Sequence, residues 1–137
     1  VMMHSKGNPK TMVNQTSYAH LINDILDYFN LKIYFLRSKG VPDIVLDPGF
    51  GFAKTLNQNY ELLKNLKIFK QLGLPILVGL SRKSMIFKEL NIESNEALAG
   101  TIALNMFSLQ QGASILRVHD VKEAVQTIQL HNKLTCY

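Results

Sequence analysis

Short apolar runs alternate with longer stretches whose apolar residues recur every three or four positions along the chain. That alternation predicts repeated strand and helix units, because buried parallel strands read as brief continuous apolar runs and amphipathic helices as a 3.6-residue stripe. The opening Val1-Met2-Met3-His4 reads as the end of a strand, and the expectation is a chain cut from something longer. A polar loop over 5–16 and a long helix over 17–38 follow, with Gly40 and Pro42 as the stop. Residues 43–47 form a second strand; a loop leads to a helix over 58–72, striped by Leu62, Leu63, Leu66 and Phe69 and closed by Gly73. A third strand over 75–79 passes into Ser81-Arg82-Lys83-Ser84, then a helical turn near 85–89 and an apolar helix over 95–111 ending at Gly112. The fourth strand covers 114–118, and Asp120 caps a last helix with Glu123 as the reciprocal partner of a capping box.

Four such βα units predict an α/β fold with parallel strands and helices over the sheet. A full (β/α)8 barrel takes about 250 residues, so these 137 residues are read as half of one, a single domain over 1–137, rather than as a complete doubly wound sheet.

Composition changes this picture little. Hydrophobic residues make up 47% and charged residues 18%, which is ordinary for a globular chain. The net charge of +5 is spread thinly, so it is read as solvated helix faces plus a few cations kept for an anionic ligand, with neither nucleic acid nor membrane as partner. The lone cysteine, Cys136, excludes an intrachain disulfide and a cysteine-based zinc cluster and fits a cytoplasmic setting.

Candidate chemistry gathers at the C-terminal ends of the strands, where parallel α/β folds place their sites. A buried carboxylate at Asp47 is costly without hydrogen-bond donors, and two readings stand for it. It either receives the paired N–H groups of a pterin- or guanine-like edge, or it caps the turn that Asp-Pro-Gly opens. Gly49 and Gly51 let the loop bend close to a ligand, with Phe50 and Phe52 as an apolar wall. Lys83 is either a surface lysine or a donor reaching back over the mouth of the barrel. Its neighbour Arg82 is expected to point away and be structural. Arg117 and His119, two apart on a strand, face the same way and suit an anion. His4 and Lys6 lie in the first loop, where His4 either reaches the same mouth or is structural; His20 and His131 read as surface residues on helices.

Four segments carry a resemblance: Met3-His4 with Gly7-Asn8-Pro9-Lys10-Thr11-Met12; Asp47-Pro48-Gly49-Phe50-Gly51-Phe52 with Lys54-Thr55; Gly79 with Ser81-Arg82-Lys83-Ser84; and Arg117-Val118-His119-Asp120-Val121-Lys122-Glu123. In this order they closely resemble the second half of the dihydropteroate synthase family. The resemblance implies the C-terminal half of a (β/α)8 TIM barrel, strands five to eight. It also implies a transferase that joins 6-hydroxymethyl-7,8-dihydropterin pyrophosphate to 4-aminobenzoate in folate synthesis. By that likeness Asp47 holds the pterin amino edge and Lys83 its carbonyl, and Met3, Phe52 and Gly79 line the pockets. Ser84 meets the aminobenzoate carboxylate, and Arg117 and His119 serve the pyrophosphate, with Arg117 also stacking on the pterin.

Mg²⁺ is implied for the full-length enzyme, with its ligand loop missing here and no metal ligand expected in this chain. The fragment alone is expected to be inactive. Ala53 and Phe87 stand where glycine is common in the family. Two alternatives share the fold: a pterin-binding methyltransferase domain, and a non-catalytic half-barrel module whose open sheet edges pair with a second copy as a homodimer.

Overall fold

The computed structural model describes residues 1–7, 10–11 and 14–135. Asn8, Pro9 and Met12 of the first motif, and Cys136, therefore lie outside the described residues.

The strands are β1 (Met2–Met3), β2 (Leu46–Asp47), β3 (Leu77–Val78) and β4 (Ile115–Leu116). Met2 pairs with Leu46 and Met3 with Asp47, both parallel, and Leu77 and Val78 pair in the same sense with Ile115 and Leu116. A parallel bridge from Leu46 to Ile76 joins the two pairs, so the strands run in chain order as one arc. That arc is half of an eight-stranded α/β barrel. The β2 and β3 ladders are shorter than the apolar runs around them, because flanking residues such as Ile44 and Leu80 are buried without entering the ladder. Around β2 and β3, burial rather than pairing produced the sequence signal.

The helices are α1 (Leu21–Ser38), α2 (Leu56–Lys64), α3 (Ser84–Leu90), α4 (Leu98–Gln110) and α5 (Val121–Thr135). α1 buries Leu21, Ile25, Phe29 and Ile33, one residue per turn, against the sheet. It starts later than the periodicity predicts, which leaves His20 at its N-cap rather than within it. α2 starts earlier than predicted, because the Thr55 side chain accepts from the Gln58 N–H while Gln58 answers to the Thr55 N–H. The predicted continuous helix to residue 72 instead tightens into a 3₁₀ segment, Leu66–Leu72, and Gly73 closes it at φ +66°. The expected stripe of Leu62, Leu63, Leu66 and Phe69 is buried throughout. A separate 3₁₀ turn, Ser94–Glu96, precedes α4.

The core joins α1, α2 and the strand flanks around Phe29, Leu46, Phe50, Leu62, Phe69, Ile76, Val78 and Leu80. Phe50 is part of it, not of a ligand wall as the sequence suggested, because the loop folds its ring inward. No helix of the described residues is long and apolar enough to cross a membrane.

Candidate active site

Asp47 ends β2 with 2% of its surface exposed, and its two oxygens have different surroundings. Oδ1 accepts the Gly49 N–H at 2.9 Å, as a turn-capping aspartate does. Oδ2 is buried with no hydrogen-bond partner among the described residues, and the Arg117 Nη2 stands off at 3.5 Å. The turn-capping reading is met by Oδ1, which shapes the loop, while Oδ2 is left without a hydrogen-bond partner among the described residues. A buried, unsatisfied carboxylate oxygen costs several times a surface one. Such an oxygen makes sense where a donor arrives from outside.

The loop after Asp47 is fixed from behind. A Cβ on Gly49 would lie 1.9 Å from the His4 carbonyl oxygen, and its φ is +73°, so glycine alone fits. His4 is buried, edge-on to Tyr28 at 5.0 Å, and its Nδ1 is 3.1 Å from the Lys54 ammonium. It lies under the loop and does not reach the mouth; burial first, then the Lys54 charge, drives its pKa down to about 3. Lys6, its predicted companion, donates to the Ser17 carbonyl and sits over the Tyr18 ring.

Lys83 leaves the loop after β3, and its ammonium donates to the Phe50 carbonyl and lies 4.8 Å from the centre of the Phe52 ring. Burial lowers its pKa to about 8, against the opposing pull of the Asp47 charge, and Arg117 pushes the same way as burial. Lys83 is therefore no ordinary surface lysine. Phe52 is half-buried and gives the site its flat apolar side.

Arg117 follows β4 and reaches across to β3. A Cβ on Gly79 would come within 3.0 Å of its guanidinium, so the bare glycine is what lets Arg117 lie over the strand toward Asp47. His119 Nδ1 is 2.9 Å from the Ser81 hydroxyl, which also accepts the His119 backbone N–H. Sequence reasoning assigned Ser81 no role, and only its place in the Ser81–Ser84 run hinted at one. Gly79, Ser81, Lys83, Arg117, Val118 and His119 line one cavity of about 140 Å³.

Arg82, at φ +54°, turns outward as expected and its guanidinium forks onto both oxygens of Asp120. The hydrogen bonds raise its pKa and, as the leading cause, hold the Asp120 carboxyl below the usual range. Asp120 is thus a staple between the loops after β3 and β4, where a side-chain helix cap was predicted. Ser84 is exposed at the first position of α3, and Met3 is half-buried beside Asp47 in the ladder. The described residues contain no cluster of three histidine, cysteine or acidic side chains able to hold a metal.

A family model described as "Pterin binding enzyme" matches residues 1–119. The chain belongs to that family. Among pterin binding enzymes it is 44% identical over 131 residues to a dihydropteroate synthase of Escherichia coli, covering 94% of this chain and 46% of that protein. A crystal structure of the Yersinia pestis dihydropteroate synthase in a sulfonamide drug complex superposes with TM-score 0.95 at 39% identity, covering 98% of this chain and 50% of that one. The Thermus thermophilus dihydropteroate synthase in complex with 4-aminobenzoate gives TM-score 0.92 at 34% identity, over 96% of this chain and 52% of that one. The chain spans about half the length of these pterin binding enzymes.

Proposed function

We propose that the whole protein to which this chain belongs is a dihydropteroate synthase. It condenses 6-hydroxymethyl-7,8-dihydropterin pyrophosphate with 4-aminobenzoate and releases pyrophosphate. The observation that carries this reading is Asp47 Oδ2, a buried carboxylate oxygen with no hydrogen-bond partner among the described residues, flanked by Arg117 and beside Lys83. A pterin offers two parallel N–H groups, from its 2-amino substituent and ring nitrogen, to such a carboxylate. Arg117, half exposed and held at Asp47 by charge without a hydrogen bond, is free to swing off as the ring enters and stack on its face.

In the reaction the bond between the pterin methylene carbon and the pyrophosphate oxygen breaks, and the electron pair leaves with pyrophosphate. The aromatic amine then forms a C–N bond to that carbon and loses a proton. Arg117 and His119, lining one cavity, stabilise the departing charge. With its Nδ1 side occupied by Ser81, His119 presents Nε2 outward to the leaving group. Lys83 donates to the pterin carbonyl in place of the Phe50 carbonyl it now holds. Met3, Phe52 and Gly79 shape the pocket walls, and Ser84, at the start of α3, receives the aminobenzoate carboxylate.

Among the described residues no three histidine, cysteine or acidic side chains gather as a metal-ligand cluster, and the proposal places the Mg²⁺ ligands in the rest of the synthase. The proposed setting is cytoplasmic, with small-molecule partners, no nucleic acid or membrane, and a homodimer as the assembly.

The test is pyrophosphate release by the full-length protein. It should require both substrates and fall on the order of a hundredfold in Asp47→Asn, the scale of a lost charged hydrogen-bond pair. Undiminished turnover in Asp47→Asn, or no turnover in the full-length protein, overturns the assignment.

A further inference from the structure

Lys54 belongs to the second of the four sequence segments, yet it has no task in the proposed chemistry. It is 8% exposed, and an ammonium that deep needs every proton matched. Its three protons have three acceptors: the Gly49 carbonyl at 3.0 Å, the Phe52 carbonyl at 3.1 Å and His4 Nδ1 at 3.1 Å. The set closes with Lys54 charged and His4 Nδ1 bare; with Lys54 neutral it closes equally when His4 carries its proton on Nδ1 and donates to the amine. These acceptors span the loop that begins at Asp47, and the third ties that loop to the residue following β1.

Burial lowers the Lys54 pKa to about 7, against the pull of the Asp47 carboxylate, and the Lys83 and Lys6 charges push the same way as burial. The residue thus acts on the carboxylate through the loop that caps Oδ1, and when protonated it places a positive charge behind it.

We infer that Lys54 is the positioning residue of the pterin subsite: it holds the 49–52 loop in the shape that leaves Asp47 Oδ2 free, and it touches no ligand itself. The inference rests on the reading of Asp47 as the pterin acceptor. It predicts an effect on one substrate and not the other, because Lys54 braces β1 and the loop after β2 and makes no bond to the Ser81–Ser84 segment.

The experiment uses the full-length protein, with 6-hydroxymethylpterin as the binding probe in calorimetry and steady-state kinetics for both substrates. Lys54→Met should weaken the pterin on the order of tenfold or more, while the 4-aminobenzoate KM stays within about threefold at saturating pterin. In the double variant, Asp47→Asn should cost less than it does alone, since the two act as one unit. A folded Lys54→Met with wild-type pterin affinity overturns the inference. So do equal losses for both substrates together with additive effects at Asp47, which would make Lys54 a general brace. If Lys54→Met does not fold, Lys54→Gln keeps a donor for the carbonyls without the charge and is read by the same criteria. A folded wild-type protein that binds no pterin defeats the functional reading itself, which separates the two failures.

Discussion

Single residues in this chain carry conformational costs that the sequence pattern hides. Ala53 adopts φ +50°, a region where a side chain costs about 1–2 kcal/mol and glycine costs little. A glycine would escape that cost, so Ala53→Gly should stabilise the protein by about 1 kcal/mol in urea unfolding, with m unchanged. His4 makes a second prediction. Its pKa is near 3 in the fold against an ordinary 6.5, so the unfolded chain binds the extra proton first. Stability from the neutral imidazole is complete above about pH 6.5 and drains away as pH falls toward 3. Every tenfold loss of proton affinity on folding corresponds to about 1.4 kcal/mol. Denaturation midpoints should therefore drop steeply between those values, and His4→Asn should flatten that slope. An unchanged slope in the variant would count against it.

At the scale of elements, the site depends on side chains that cross between strands. Arg117 of the β4 end lies over Gly79 of the β3 end, and the collision there would be with the far end of a flexible side chain. Gly79→Ala should hence leave thermal stability nearly unchanged while displacing the guanidinium, weakening pyrophosphate-bearing ligands on the order of tenfold, as a lost charged hydrogen bond does. Titration with the pterin pyrophosphate, set beside a melting curve, checks both halves.

Much at this scale was legible beforehand. Strand order, the α2 stripe and the placing of Asp47, Lys83, Arg117 and His119 at strand ends all follow from apolar periodicity and from charged residues breaking it. The short ladders, the 3₁₀ segment after α2 and the fate of Asp120 do not, since periodicity reports burial and is blind to which donor a carboxylate finds. The pairing of His4 with Lys54 was illegible for a related reason: a buried polar contact fifty residues apart leaves no local pattern.

For the molecule as a whole, burial is deepest in the middle of the arc and falls off at its ends. The β2 and β3 ladder residues are buried, whereas Ile115 of β4 is 40% exposed and Leu116 half-buried. The apolar residues Val121, Val125, Leu130 and Leu134 of α5 are exposed too. A barrel closed on itself would cover such a strand. The 137-residue chain by itself should therefore show no appreciable dihydropteroate synthase turnover, and near-normal turnover of the isolated chain would refute that. Lys83 sets a pH limit on the full enzyme. With its pKa near 8 in the unliganded site, ligand affinity should decline as pH rises past 8 and its positive charge is lost.

The close approach of Gly49 to the His4 carbonyl bears on how this pocket is free to diversify. Any mutation of the Gly49 codon to another amino acid drives an atom into main chain that has no rotamer with which to yield. Heritable variation in what the pocket accepts is thereby channelled to side chains rather than loop backbone, such as Phe52, whose ring lies by the Lys83 ammonium. Selection on ligand choice will leave its mark there first.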